Sequence, residues 1–174
     1  MRMTMASPLP EIENTSLLAP CGLYCGVCGI YMATRDGNQE LRQKLSKVYG
    51  TKVAKTACRG CMQPEPADCR FPLCDACVIR KCVIGNKLQS CAQCNNFPCE
   101  KIANFPFPVA HQFISEAIPL WKSLCEELGT EAGNRAFAKS QLERFSCQNC
   151  GRPIFRGATW CKACNSPVNP KQVD

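Results

Sequence analysis

A single histidine, His111, stands among 174 residues. Catalytic zinc commonly draws on histidine and keeps one coordination position open, so the usual donor set for hydrolytic zinc is missing, as is the base of a Ser-His-Asp constellation. Aromatic residues make up only 7% of the chain. No stretch approaches the roughly 18 to 20 apolar residues needed to span a bilayer, which argues against a membrane protein. The opening stretch, MRMTMASPLPEIENTSLLAP, has one Arg, early prolines and an acidic pair, and lacks the apolar centre of a secretory signal. A cytoplasmic location is expected. No phosphate-cradling glycine loop and no acid pair in an identifiable pocket can be argued, so no enzymatic activity is read from the sequence.

Cysteine, by contrast, is in excess. Hydrophobic residues are 45% of the chain, but 17 of them are Cys, which leaves a thin conventional apolar set. A reducing compartment keeps thiols unpaired, and dense Cys patterns there read as metal sites rather than disulfides. The spacing agrees, because Cys25/Cys28, Cys58/Cys61, Cys74/Cys77, Cys91/Cys94, Cys147/Cys150 and Cys161/Cys164 are all C-x2-C pairs. A tight turn that aims two thiolates at one ion needs this spacing, whereas a disulfide framework seldom repeats it. The formal charge of +7 invites a nucleic-acid partner. Sixteen thiolates holding about four divalent ions would bring the net charge to about −1 and remove that global argument.

In the tail, CQNCGRPIFRGATWCKACNSP places Cys147, Cys150, Cys161 and Cys164 as C-x2-C-x10-C-x2-C, a zinc-ribbon signature. Gly151 and Asn165 follow the second Cys of each pair, where a zinc knuckle wants a residue tolerant of positive φ. Arg152, Arg156 and Lys162 accompany Phe155 and Trp160, so this segment is the candidate nucleic-acid surface, pairing cations with stacking aromatics. In the alternative reading, the aromatics cover the ribbon's small core and the charges are solvated.

Upstream, Cys58, Cys61, Cys74 and Cys77 form C-x2-C-x12-C-x2-C, a candidate tetrahedral cage. Eight further candidate ligands remain: Cys21, Cys25, Cys28, Cys69, Cys82, Cys91, Cys94 and Cys99. Cys21/Cys25/Cys28 and Cys91/Cys94/Cys99 each supply three ligands awaiting a fourth, with Cys69 and Cys82 available, and interleaved sites fit equally well. Cys125 falls on the apolar face of a helix and is assigned to the core as a small hydrophobe. Zinc, about four ions per chain, is the expected cofactor, since closed four-thiolate sites are structural. An iron-sulfur cluster is the alternative, because thiolates accept both. Apparent zinc-site free energies of about 10 to 16 kcal/mol rival the whole stability of a typical domain, about 5 to 15 kcal/mol, so metals can stand in for a missing core.

The stretch CGLYCGVC has the C-x3-C-x2-C spacing of radical enzymes, but Val27 occupies a position where those enzymes commonly carry an aromatic residue. No alternation of strands and helices accompanies it. Pro20 and Pro98 precede cysteines rather than following them, unlike the ferredoxin order. A thioredoxin-like C-x-x-C within a βαβ pattern is not visible either.

In DGNQELRQKLSKVYG the pattern predicts a helix, with Asp36 or Asn38 as cap, Leu41, Leu45 and Val48 on one face, and Gly50 as the stop. Farther on, Phe113, Ile114, Ala117, Trp121, Leu124, Cys125 and Leu128 share a helical face. Pro119 is expected to kink or restart that helix and Gly129 to end it. A second helix over 131–145 carries Ala136, Phe137 and Leu142. The expected fold is a small metal-stabilised α+β protein, irregular and cysteine-rich, with helices and a C-terminal zinc β-ribbon. Its parts are a flexible segment at 1–19, a cysteine-rich metal-binding domain at 20–104, a helical segment at 105–145 packing on it, and the ribbon and tail at 146–174. The function read from this is zinc-structured support for a protein- or nucleic-acid-interaction module, or alternatively a redox protein built on the four-cysteine sets.

The run CGLYCGVCGIY, followed by CRGC, CRFPLCDACVIRKC and CAQCNNFPCEKI, resembles a family of small cysteine-rich prokaryotic proteins known as a domain of unknown function. The resemblance covers about residues 20–104. Similar members can carry a C-terminal zinc ribbon like that at 147–164. The resemblance implies metal binding by the twelve cysteines at 21–99 and no established activity.

Overall fold

A computed structural model describes residues 14–105 and 108–168, so residues 1–13 of the expected lead-in and residues 169–174 of the tail lie outside the described residues. Residues 14–19, expected to be flexible, are built into the fold. Asn14 caps a single turn at Thr15–Leu17 by accepting from Ser16 N–H at 3.0 Å, and Leu17, Leu18 and Ala19 are buried. These apolar side chains follow the proline-rich stretch and offer a hydrophobic anchor.

The cysteine-rich half is a chain of short helices joined by turns. It contains α1 (Gly29–Arg35), α2 (Gln39–Val48), α3 (Pro72–Asp75), α4 (Val78–Gly85) and α5 (Glu100–Ala103). Helix α2 is the one expected from its pattern. Asn38 is its cap, accepting from Leu41 N–H at 3.1 Å, which satisfies one of the donors left free at a helix start. Its buried face differs from the expected stripe, since Leu41 and Leu45 are half-buried while Val48 is 75% exposed. Val48 lies in the last turn, past the point where α2 contacts its neighbours. Helix α1, which sequence patterning does not single out, is short and lacks a side-chain cap. It forms because Ile30, Met32 and Ala33 bury against the rest of the chain, and tertiary packing of this kind overrides weak local signals.

Two long helices follow, α6 (Pro108–Leu128) and α7 (Thr130–Arg144). Phe113, Ile114, Ala117, Ile118 and Trp121 of α6 are buried, and Gly129, at φ 80°, ends the helix as its position implies. Helix α6 runs through Pro119 without a restart. Trp121 stacks on Phe137 of α7 with centroids 4.8 Å apart and planes at 3°, and its indole N–H donates to Asn134 at 2.7 Å. Arg144 pairs with Glu116 at 2.9 Å, clamping the end of α7 to α6. Cys125 lies half-buried at this helix interface, its sulfur facing Thr130 O and the Asn134 side chain, apart from the other cysteines.

The helical pair lies across the metal-ligand candidates. Ile118 and Ala117 come up against Gly22, α6 contacts the Cys91–Gln93 turn, and α7 contacts the turns at Thr15–Leu17 and Cys25–Val27. A single buried cluster unites Leu17, Tyr24, Ile79, Ile102, Phe113, Phe137, Phe145, Ile154 and Val168. A smaller one holds Ile30, Cys58 and Phe71, with Cys28, Leu45 and Cys74 packed against it.

The expected β-ribbon is not formed as strands. Among the described residues the pairing in the tail is limited to two isolated antiparallel bridges, Ser146 with Pro153 and Trp160 with Pro167. The physical reason is local: the cysteine turns use most of the segment, α7 occupies the chain up to Arg144, and each bridge ends on a proline with no N–H to extend a ladder. No helix among the described residues is long and apolar enough to cross a membrane.

Candidate metal centre

The tail site is two copies of one turn. In the first, Ile154 N–H donates to Phe145 O at 2.8 Å, Cys147 N–H to Arg152 O at 2.8 Å, and Gly151 N–H to Cys147 O at 2.7 Å. In the second, Val168 N–H donates to Thr159 O at 3.0 Å, Cys161 N–H to Ser166 O at 2.8 Å, and Asn165 N–H to Cys161 O at 2.8 Å. Gly151 and Asn165 have φ of 70° and 56°, the left-handed conformation expected of the residue after each second Cys. Glycine takes it without strain, and Asn is among the few other residues that do so readily.

These turns bring Cys147, Cys150, Cys161 and Cys164 together with all four sulfurs within 4.8 Å of one another. The Cys147–Cys164 and Cys150–Cys161 sulfurs are each 3.6 Å apart. A tetrahedral zinc with bonds of about 2.3 Å requires sulfur separations of about 3.8 Å, so the residues present fit such an ion. The Ser166 hydroxyl lies 3.0 Å from the Cys164 sulfur and 3.5 Å from that of Cys147. It holds both thiols below their usual value, Cys164 down to about 5. At Cys150 the Arg152 N–H favours the thiolate, but desolvation and the sulfurs of Cys164, Cys161 and Cys147 outweigh it, and the thiol goes up to about 12. Four thiolates at this spacing repel one another, and a divalent cation relieves that repulsion. Ligand spacing does not single out Ser166; its place two residues after the last ligand is the available signal.

The remaining cysteines fall into two neighbourhoods. In the first, Cys61 N–H donates to the Cys25 sulfur at 3.4 Å and Gly60 N–H to the Cys58 sulfur at 3.4 Å. Cys28 and Cys74 pack against Cys58. Desolvation, then the charges of Cys61 and Cys28, push the Cys25 thiol well up. The hydrogen bond with Cys61 and then desolvation do the same at Cys74. Cys61 moves the other way, held down by that bond to Cys74 and by the nearby Arg80 and Arg70.

In the second neighbourhood, Cys91 N–H donates to Pro20 O at 2.8 Å, which sets the 91–94 turn beside Cys21. Burial pushes Cys21 up to about 12, with the charges of Cys61, Cys77 and Cys91 adding to it against the Leu23 N–H. Desolvation and then Cys94, Cys99, Cys82 and Cys77 push Cys91 up to about 12. Cys77 of the expected Cys58/Cys61/Cys74/Cys77 set thus faces the second neighbourhood. Cys69 contributes its backbone, accepting from Arg59 N–H at 2.9 Å. Among the described residues the tail set is the one group of three or more ligand atoms all within 4.8 Å.

Three guanidinium groups border these sulfurs. Arg70 and Arg80, whose side chains are 2% and 6% exposed, both pair with Glu65. Arg80 also donates to Cys61 O at 3.1 Å, and Arg70 to Asp75 at 3.0 Å. Arg156, a candidate nucleic-acid contact, turns inward. Its guanidinium sits 5.3 Å from the Phe113 ring centroid and 5.1 Å from that of Phe145. Desolvation lowers its pKa while the charges of Cys28, Cys21 and Cys25 act to raise it. Phe155 is half-buried and approaches Gly29 and Leu45. Arg152 and Lys162 are exposed, and Trp160 is 57% exposed. His111 sits near the start of α6 with Nε2 2.7 Å from Phe105 O.

CGLYCG itself is shaped by packing. Tyr24 is fully buried between the two cysteine turns, and a side chain at Gly26 would meet its ring at 2.4 Å, so only glycine fits there. The fold and the sites together define a cysteine-rich, roughly half-helical protein with a tail cluster able to hold a metal ion. The family model described as "Protein of unknown function (DUF3795)" matches residues 17–104, about half of the chain, and the chain belongs to that family. No curated protein and no solved structure matches it.

Proposed function

We propose that this chain is a zinc-structured protein in which metal sites, rather than a large apolar core, hold short loops rigid as a platform for a protein or nucleic-acid partner in the cytoplasm. The observation that carries the reading is the four-sulfur set Cys147, Cys150, Cys161 and Cys164, whose spacing suits a closed tetrahedral site with no open position for catalysis. About four ions per chain would use the tail set and the twelve cysteines upstream. The proposed division into a cysteine-rich domain at 20–104, a helical cover at 105–145 and a metal-bound tail at 146–174 follows from that role. Trp160, exposed near Arg152 and Lys162, is the surface to which a partner would bind.

Elemental analysis of the purified full chain, followed by chelation while helicity is monitored, tests the proposal. Zinc bound in stoichiometric amounts and unfolding on its removal are expected; a fully folded chain with no bound metal overturns it.

A second reading, an iron-sulfur protein, is favoured by the amide donors to the Cys25 and Cys58 sulfurs, since hydrogen bonds to sulfur tune cluster potentials. Brown protein with broad visible absorption after anaerobic purification would support it, and colourless zinc protein under the same conditions would exclude it.

A further inference from the structure

We infer that the upstream metal is held in an interleaved pocket drawn from Cys25, Cys28, Cys58, Cys61 and Cys74, bordered by Arg156 of the tail. The inference rests on the metal-binding reading above and adds which sulfurs share a site.

The pocket brings together three separate stretches. Cys25 and Cys28 flank the turn at Cys25–Val27. Cys58 and Cys61 lie on the loop after Thr56, which is tied to α1 by Cys58 N–H donating to the Thr34 hydroxyl at 3.0 Å. Cys74 lies in α3, against Cys58 and Phe71. The Cys61 amide donates to the Cys25 sulfur, so the two C-x2-C turns contact each other directly. Amide donors of this kind stabilise thiolate ligands.

Cys77 departs from this group. Cys74 is inside α3, whereas Cys77 is the residue that precedes α4, and the break between the two helices sends their sulfurs to different neighbours. Those bearing most on Cys74 are Cys61, Cys28 and Cys58, while Cys77 bears on Cys21 and Cys91. The C-x2-C pair at 74 and 77 therefore bridges two sites instead of chelating one ion.

Arg156 supplies a second, independent observation. Its backbone N–H donates to Val27 O at 2.9 Å, inside the Cys25–Cys28 turn. Its Nε is buried and finds no acceptor among the described residues. A cation placed between two phenyl rings beside Cys28, Cys21 and Cys25 suits an anionic thiolate–metal centre, which is the ligand chemistry that would offset its burial.

The test uses the intact zinc-loaded chain, with a parallel anaerobic preparation grown with iron and sulfide so that zinc and an iron-sulfur cluster are told apart. During graded chelation, thiols freed by metal loss are alkylated and mapped by mass spectrometry. Expected is that Cys25, Cys28, Cys58, Cys61 and Cys74 become labelled as one set and Cys77 with a different set. Labelling of Cys77 in step with Cys58, while Cys25 follows other cysteines, overturns the inference.

Variants give the same answer by non-additivity. Cys25→Ser with Cys58→Ser should lose no more metal than either alone, and losses that add would overturn the grouping. Arg156→Gln should speed metal loss from this pocket about tenfold or more, as second-sphere changes do, with Arg156→Lys nearer wild type and the tail site unaffected. Unchanged release from the pocket would overturn the role given to Arg156. A chain with metal only at the tail defeats this inference and leaves the tail site standing; a chain with no metal anywhere defeats both.

Discussion

The backbone N–H of Arg156 donates to the carbonyl of Val27 at 2.9 Å, joining the metal-binding tail to the CGLYCGVC turn across 129 positions of sequence. Around this bond, Phe113 and Phe145 lie between Arg156 on one side and Arg144 on the other. The tail is thus packed into the same core as the first cysteines.

Phe145 is fully buried where α7 meets the first tail turn. Phe145→Ala should destabilise the chain by about 3 to 5 kcal/mol, the usual cost of deleting a buried phenyl group. Denaturant titration of the zinc-loaded protein checks this. A loss below about 1 kcal/mol would show that the helices and tail are not packed as one core.

Ser166 touches two of the four tail sulfurs. Ser166→Ala should weaken zinc binding at the tail by roughly 10- to 100-fold, the usual effect of losing a hydrogen bond to a ligand. Competition against a chromophoric chelator measures it, and an unchanged affinity would remove Ser166 from the site.

Gly151 and Asn165 occupy equivalent positions with positive φ. Gly151→Ala should cost about 1 kcal/mol or somewhat more, because an L side chain is strained there. Asn165→Gly should be close to neutral. Thermal midpoints of the two variants with zinc bound give the comparison, and equal midpoints would contradict the two-turn geometry.

Glu65 is exposed, yet hydrogen bonds from Arg70 and then Arg80 hold its carboxyl below the usual 4.5. A carboxyl lowered on folding contributes stability that is fully present above its unfolded value and is lost as pH falls through the folded one. Glu65→Gln should therefore be less stable than wild type at pH 7. The gap should narrow as pH drops below about 4.5. Melting curves from pH 7 to 3 for both proteins test the sign, and a gap that widens in acid would contradict it.

The metal site in the tail is legible in the sequence because its demands are local. C-x2-C spacing and a left-handed residue after each pair are satisfied within a few positions, and Gly151 and Asn165 meet them. Asn38 capping α2 and the buried face of α6 are legible for the same reason, since caps and helical periodicity are short-range properties. Helix α1 is not, because its residues are held by burial rather than by a cap.

What the amino-acid sequence determined by itself, then, was which residues bear the chemistry and how each turn must bend. Tertiary structure alone decided that Cys77 parts from Cys74, that Arg156 turns inward, and that the tail pairs through single bridges instead of strands. Those outcomes depend on which distant segments cross in space, and sulfur atoms equivalent in spacing become distinct only when the chain surrounds them with different charges.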